Sequence, residues 1–242
     1  MASSKTLAIV LGAGPGTGAA LAQAFAKTHG AVALLARNHS SLESVVSDVR
    51  SAGGDAAPFR CDVSSADSVA DAFAQIKQKW PQHQVTAALF NANSPLQLKP
   101  FLEASVEDLK PGIDVNLHGA FHFSQKVIPL LLQAGGGFLG FSGATASIKG
   151  SAKFGTFAST KAALRSLSQS LAREFGPQGV HVSHVIIDGV IDTDRVRQNY
   201  GEAEEGTRID PSAIADTFVY LSQQPKGCWT HELDIRPAAE KW

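Results

Sequence analysis

The feature that most limits what this chain can fold into is a series of short β-branched or apolar runs. They fall at 7–11, 31–36, 56–60, 85–90, 137–141, 180–187 and 232–235. Between them lie longer stretches, at 16–28, 40–52, 65–80, 105–133, 154–175 and 211–223, whose apolar residues recur every three to four positions, as on one face of a helix. A strand that is apolar throughout must be covered on both faces, and helices separating such strands supply the cover. The pattern therefore predicts a doubly wound parallel α/β sheet of seven strands, with helices on both sides. The length of 242 residues allows one large domain or two small ones. The alternation shows no linker and no repeat, so 1–242 is expected to be a single domain. One stretch carries a flaw. Pro111-Gly112 interrupts 105–133, and both residue types oppose a helix interior. A break or loop is expected there, with the main helix running from about 112 to 133.

Composition narrows the function classes. With 44% hydrophobic and 18% charged residues, the chain can bury a core. Lys and Arg total 21 against 22 Asp and Glu, so no basic field points to nucleic acid. No apolar run approaches the roughly 20 residues of a membrane helix. The opening Met1-Ala2-Ser3-Ser4-Lys5 and the short apolar run after it lack the features of a signal peptide. A soluble, intracellular protein is expected, read as cytoplasmic, with no membrane or nucleic-acid partner. Cys61 and Cys228 are too few for a disulfide framework and lack metal-ligand spacing, and both read as small apolar filler.

The first strand ends in Leu11-Gly12-Ala13-Gly14-Pro15-Gly16-Thr17-Gly18, which then opens the first helix. Glycines let the backbone turn tightly and approach a phosphate, and the helix start offers free N–H groups with a favourable dipole. The second strand ends in Ala36-Arg37-Asn38. An acidic residue at that point would bond the ribose hydroxyls of NAD. A guanidinium instead pairs with a 2′-phosphate. NADP(H) is therefore favoured over NAD(H), the alternative being a solvated turn arginine.

These motifs, taken in order, resemble the short-chain dehydrogenase/reductase family over nearly the whole chain. Its glycine motif falls on Gly12, Gly16 and Gly18, with Leu11 in place of a Thr. The Asp-Val that contacts adenine falls on Asp62-Val63. Asn-Ala-Gly falls on Asn91-Ala92-Asn93, the helix asparagine on Asn116, and Pro-Gly-x-x-x-Thr on Asp188 to Thr193. Asn93 thus replaces a Gly and Asp188 a Pro. The resemblance implies a Rossmann-type fold and a nicotinamide cofactor. It also implies a substrate lid at 194–208 and a homodimer or homotetramer paired through the helices at 112–133 and 154–175.

The family's active-site signature, Tyr-x-x-x-Lys, reads here Phe157-Ala158-Ser159-Thr160-Lys161, and the serine position preceding it holds Ala144. The resemblance therefore implies a divergent branch lacking both tyrosine and serine, with Asn116 and Lys161 retained as the catalytic pair. In the family the tyrosine exchanges a proton with the substrate oxygen, the lysine lowers its pKa and holds the nicotinamide ribose, and the serine steadies the carbonyl. Phenylalanine neither donates nor accepts a proton. Losing a positioned acid costs about 10²–10⁴-fold in rate.

Phe157 and Lys161 lie four apart, on one helix face. Lys161 either reaches a cofactor ribose or is a surface lysine. Several residues are candidates for the vacated roles. Tyr200 sits in the lid segment and either swings inward or stays solvated. Tyr220 reads as core packing, and Ser147 either faces the pocket or is an ordinary loop serine. Asp188 is either an acid–base group or a turn brace. His118 and His122 have metal-pair spacing but no third ligand, so no metal is expected. Three functions remain open: an NADP(H) oxidoreductase with an altered proton relay, a non-redox enzyme (isomerase, dehydratase or cyclase) on the same scaffold, and a silent nucleotide-binding subunit.

Overall fold

Most strands form where the residues on both faces are buried, the exception being the edge run Glu232–Ile235. In the computed structural model, which describes residues 5–239, the strands are β1 (Thr6–Leu11), β2 (Ala31–Ala36), β3 (Ala56–Arg60), β4 (Gln84–Phe90), β5 (Gly137–Ser142), β6 (Val180–Ile187) and β7 (Glu232–Ile235). The ends of the predicted 1–242 span, residues 1–4 and 240–242, lie outside the described residues. All pairings are parallel, in the order β3-β2-β1-β4-β5-β6-β7. Alternate residues of β1 feed opposite faces. Ile9 and Leu11 join the core beneath α3 (Ala66–Lys79), α5 (Ala120–Gln133) and α6 (Gly155–Phe175). Ala8 and Val10 join the core beneath α1 (Thr17–Ala26), α2 (Ser40–Ser51) and α8 (Pro211–Ser222). The two layers make one Rossmann-type domain, as the apolar runs predicted. The strand order reverses between β1 and β4, and the crevice at their carboxyl ends is where ligands bind in open α/β sheets.

The break expected at Pro111-Gly112 does not occur. Helix α4 (Val106–Gly112) runs directly into a π-helical segment, Ile113–Gly119, and on into α5. Ser105 and Asp108 form a capping box at its start. Pro111 removes one backbone donor, and the wider π turn that follows keeps the chain on a helical path. Gly112 is needed there, because a Cβ would stand 2.9 Å from the Thr160 side chain on α6. The predicted lid segment begins with a helix, α7 (Asp194–Tyr200). Tyr220 is 63% exposed rather than core packing, because it lies on the outer side of α8, whose buried face is Ile214, Ala215, Phe218 and Leu221. Cys61 is buried, but Cys228 is exposed in the turn before β7 and fills no core. Among the described residues no helix is long and apolar enough to cross a membrane.

Strand β6 is buried along its whole length yet carries His181 and His184. His184 Nδ1 lies 3.1 Å from Glu232 Oε2, and the Arg165 guanidinium clamps the same carboxylate at 2.6 and 2.7 Å. Burial pushes His184 down to about 4. The Glu232 charge opposes that fall, and Lys161 and Arg165 add to it. Burial lowers His181 as well. The unfolded chain takes up these protons near pH 6.5, so below that pH it binds more protons than the folded chain. Stability should therefore hold above about pH 6.5 and fall as pH drops toward 4. At about 1.4 kcal/mol per pH unit, the His184 share approaches about 3 kcal/mol. Urea denaturation between about pH 7 and 5 should show this slope. In His184→Gln the slope should be shallower, whatever the variant's absolute stability.

Candidate cofactor and substrate cleft

The outer half of the cleft grows from the β1 turn. Gly12 has φ +81°, and a Cβ there would stand 2.6 Å from Ala92 N and 2.7 Å from Asn91 C, so only glycine passes. Gly18 lets α1 close onto the turn, since a Cβ there would meet Ala13 Cα at 2.7 Å. Gly14 has nothing within 4 Å and borders open space. Gly16 caps α1 without a side-chain bond, so the first N–H groups of the helix remain free to receive an anion. Leu11, Arg37, Asn38, Ser41, Cys61 and Val63 complete this half. The Asn38 amide oxygen accepts from Ser40 N and Oγ and so holds the start of α2. Arg37 is exposed at the rim. Asp62 turns its carboxylate to Ser64 N and Oγ, at 3.0 and 2.6 Å, leaving Val63 as the wall.

Asn91 joins the halves. Its N–H donates to Leu11 O (2.9 Å), its side-chain amide donates to Gly12 O (3.0 Å), and its amide oxygen accepts from Ser142 Oγ (2.8 Å). The inner half is lined by Thr17, Ala144, Thr145, Ala146, Phe154, Phe157, Lys161, Ile187, Ile191 and Thr193 among others. Lys161 is 2% exposed, which removes the surface-lysine reading. Its Nζ donates to Ser142 O (3.1 Å) and lies 6.0 Å from the centre of the Phe157 ring. Burial alone lowers its pKa to about 8. An ammonium so placed has lost most of its hydration and gives up its proton near neutrality.

Phe157 and Ala144 both line this inner half. Asn93 and Thr193 line it too, and the remaining candidates sit around it. Asn116 rides the π segment, fully buried, and its amide donates to Thr160 Oγ1 (3.0 Å) and Ser94 Oγ (3.4 Å), while its Oδ1 has no protein donor. Ser147 is buried beneath the wall, and its hydroxyl accepts from Ala144 N (3.1 Å), so it holds its own turn. Asp188 accepts from the Thr145 hydroxyl and pairs with Arg236 Nη2 at 3.2 Å, the geometry of a brace. Thr193 caps α7 through Val196 N, and its methyl lies against Gly16. Tyr200 is 78% exposed at the end of α7. His118 pairs with Asp114, and His122 lies 3.3 Å from Val63 O. Sequence reasoning missed Ser142, Thr160 and the Arg165–Glu232–His184 group. Their partners are brought together only by the sheet and α6, and no local spacing announces them.

The sequence profile of the short chain dehydrogenase family matches residues 6–204. The chain belongs to that family. It is similar to a short-chain dehydrogenase from Rhodopseudomonas palustris at 31% identity, with 97% of this chain and 99% of that one covered at a TM-score of 0.81. An alcohol dehydrogenase from the archaeon Thermococcus sibiricus, complexed with 5-hydroxy-NADP, is similar at 25% identity, with 98% of each chain covered at a TM-score of 0.85. An uncharacterized oxidoreductase of Staphylococcus saprophyticus is 28% identical over 236 residues, which are 96% of this chain and 97% of that protein. In this short-chain dehydrogenase, Gly18→Ala should push α1 off the glycine turn, because the added methyl meets backbone at Ala13. Overpacking of this kind costs about 1–3 kcal/mol. Chemical denaturation should show that loss, whereas Gly14→Ala, which faces open space, should change stability by less than about 0.5 kcal/mol.

Proposed function

We propose that this dehydrogenase is an NADP(H)-dependent oxidoreductase of a divergent branch that lacks the family tyrosine and serine. In this reading it reduces a carbonyl, imine or conjugated carbonyl small molecule through an altered proton relay. The observation that carries the reading is Lys161, a buried ammonium with a pKa near 8 at the floor of the cleft. The residues fit the cofactor. Gly12 and Gly18 keep Cβ atoms out of the turn, Gly14 leaves space beside it, and Arg37 stands at the rim. Gly16, Thr17 and Gly18 offer N–H groups to phosphate, Arg37 offers a guanidinium to a 2′-phosphate, and Lys161 and Thr193 hold the nicotinamide end. A bound nicotinamide supplies hydride. Lys161 holds the proton that must reach the substrate oxygen or nitrogen, and the buried Oδ1 of Asn116 offers an acceptor to a relaying water. The similarity to a dehydrogenase complexed with 5-hydroxy-NADP supports the phosphate-bearing cofactor. The protein is read as cytoplasmic and as a homodimer or homotetramer paired through α5 and α6, with 194–208 closing over the substrate.

Phe157 and Ala144, both at the inner cleft, favour a second reading, in which an apolar pocket shapes a substrate for isomerisation, dehydration or cyclisation. Mixing the protein with NADPH and a panel of ketones, imines and enones, and following absorbance at the nicotinamide band, separates the two. Turnover supports the first reading. Binding without turnover supports the second or a silent subunit, and absence of NADPH binding defeats the cofactor assignment.

Arg37→Asp should weaken NADPH binding by roughly 10–150-fold, the worth of a charge-assisted contact, and should weaken NADH binding far less. Equal weakening in a fluorescence titration would remove Arg37 as the reader of the 2′-phosphate. Phe157→Tyr together with Ala144→Ser places hydroxyl groups beside Lys161. Weak carbonyl reduction should rise by at most the roughly 10²–10⁴-fold of a general acid. Either single change should give less, because both groups act on one oxygen.

A further inference from the structure

We propose that Asn93 anchors the substrate's oxygen and that the substrate is an uncharged compound with an apolar body. The proposal deepens the oxidoreductase reading and rests on it for the location of the substrate. The inner cleft offers a substrate Ala144, Ala146, Phe154, Phe157, Ile187 and Ile191 as walls. Of its other polar side chains, Thr17 sits at the start of α1 beside the glycine turn, and most of the rest are committed. The Asn91 amide donates to Gly12 O, and the hydroxyls of Ser142 and Thr145 donate to Asn91 and Asp188. No Asp or Glu lines either half among the described residues, and Asp188 and Asp192 are paired with arginines nearby. A cationic substrate finds no carboxylate there, and an anionic one finds only the buried Lys161 at the inner end. Burying an unpaired cation costs more than such walls return, and an anion would have to draw the Lys161 Nζ, 2% exposed, away from Ser142 O.

Asn93 is different. It lines both halves of the cleft, is exposed, and has no hydrogen-bond partner among the described residues. Its amide presents two donors and an acceptor to whatever enters. Phenylalanine and alanine stand where the family's two hydroxyls would be, so Asn93 is the side chain placed to hold a carbonyl oxygen. The mouth extends the apolar surface. Lys99 N donates to Lys153 O (3.1 Å), and the Phe101 ring lies 3.6 Å from the Cβ position of Gly155, next to Phe154. This loop leaves Leu98, Phe101 and Leu102 at 55%, 81% and 97% exposure. Exposed apolar side chains grouped in one loop mark a candidate binding surface, and the Phe101 ring ties this loop to Gly155, the neighbour of the cleft-lining Phe154.

The test uses three small probes that differ only in the group at the ring: acetophenone, ethylbenzene and benzoate. Ligand-observed NMR titrations are run with NADP⁺, with which a ketone cannot react, and again without it. NADP⁺ binding is measured separately, so its absence counts against the functional reading alone. Acetophenone should bind about 3–10-fold more tightly than ethylbenzene, the worth of one neutral hydrogen bond. In Asn93→Gly and in Asn93→Asp that ratio should fall to about one. The ratio cancels any effect of the substitution on cofactor affinity or on folding. A ratio of one in the native protein, or one that survives both substitutions, overturns the role of Asn93. Tighter binding of benzoate than of acetophenone, or no binding of either neutral probe, overturns the substrate class.

Discussion

One side chain ties together the ends of three strands, and the cleft depends on it. Asn91 follows β4 and bonds to β1 through Leu11 O and Gly12 O, while Ser142 at the end of β5 donates to its amide oxygen. Ser142 in turn offers its carbonyl to Lys161 on α6. A chain of hydrogen bonds thus runs from the glycine turn to the buried lysine across the point where the strand order reverses. Parallel strands splay at that point, and without a bridge their terminal carbonyls would be left to solvent. With it, both ends of the cleft are held in one frame.

The electrostatics of the inner cleft follow from what surrounds Lys161. Among the described residues the ammonium has one hydrogen-bond acceptor, Ser142 O, an aromatic ring at 6.0 Å, and almost no exposure. Desolvation then dominates and moves the pKa to about 8. The same burial acts on His184 behind it, held neutral by its position between β6 and α6 despite Glu232. Phenylalanine at 157 sets a ring beside the lysine and brings no group that titrates.

The helix carrying Asn116 shows how local and tertiary demands were reconciled. Pro111 and Gly112 disfavour an α-helical interior, and taken locally they argue for a loop. The chain stays helical: the capping box starts α4 firmly, Gly112 lets Thr160 of α6 approach, and the helix continues past Pro111 as a π segment. That π segment places Asn116 against Thr160 and Ser94, with its amide oxygen left unbonded. Irregular helical turns of this kind are found at functional sites, and here the irregularity and the candidate residue coincide.

The sequence by itself determined the layered sheet, its strands and the glycine turn, because short β-branched or apolar runs between helical stretches and glycines at a strand end are local signals with few alternatives. It also placed Phe157, Ala144 and Lys161 in one motif, since helical spacing alone puts 157 and 161 on one face. Only the tertiary structure decided what those residues meet. Ser147 and Asp188 looked like candidates for the vacated roles, and the fold binds both into turns, through Ala144 N and through Thr145 and Arg236. Tyr220 carries an apolar ring yet faces solvent, because α8 buries its other side. Ser142 and Glu232 carried no signal, since each acquires its role from partners on other elements. Long-range pairing sets which polar groups are satisfied and which are left facing the cleft, and no sequence spacing encodes that distance.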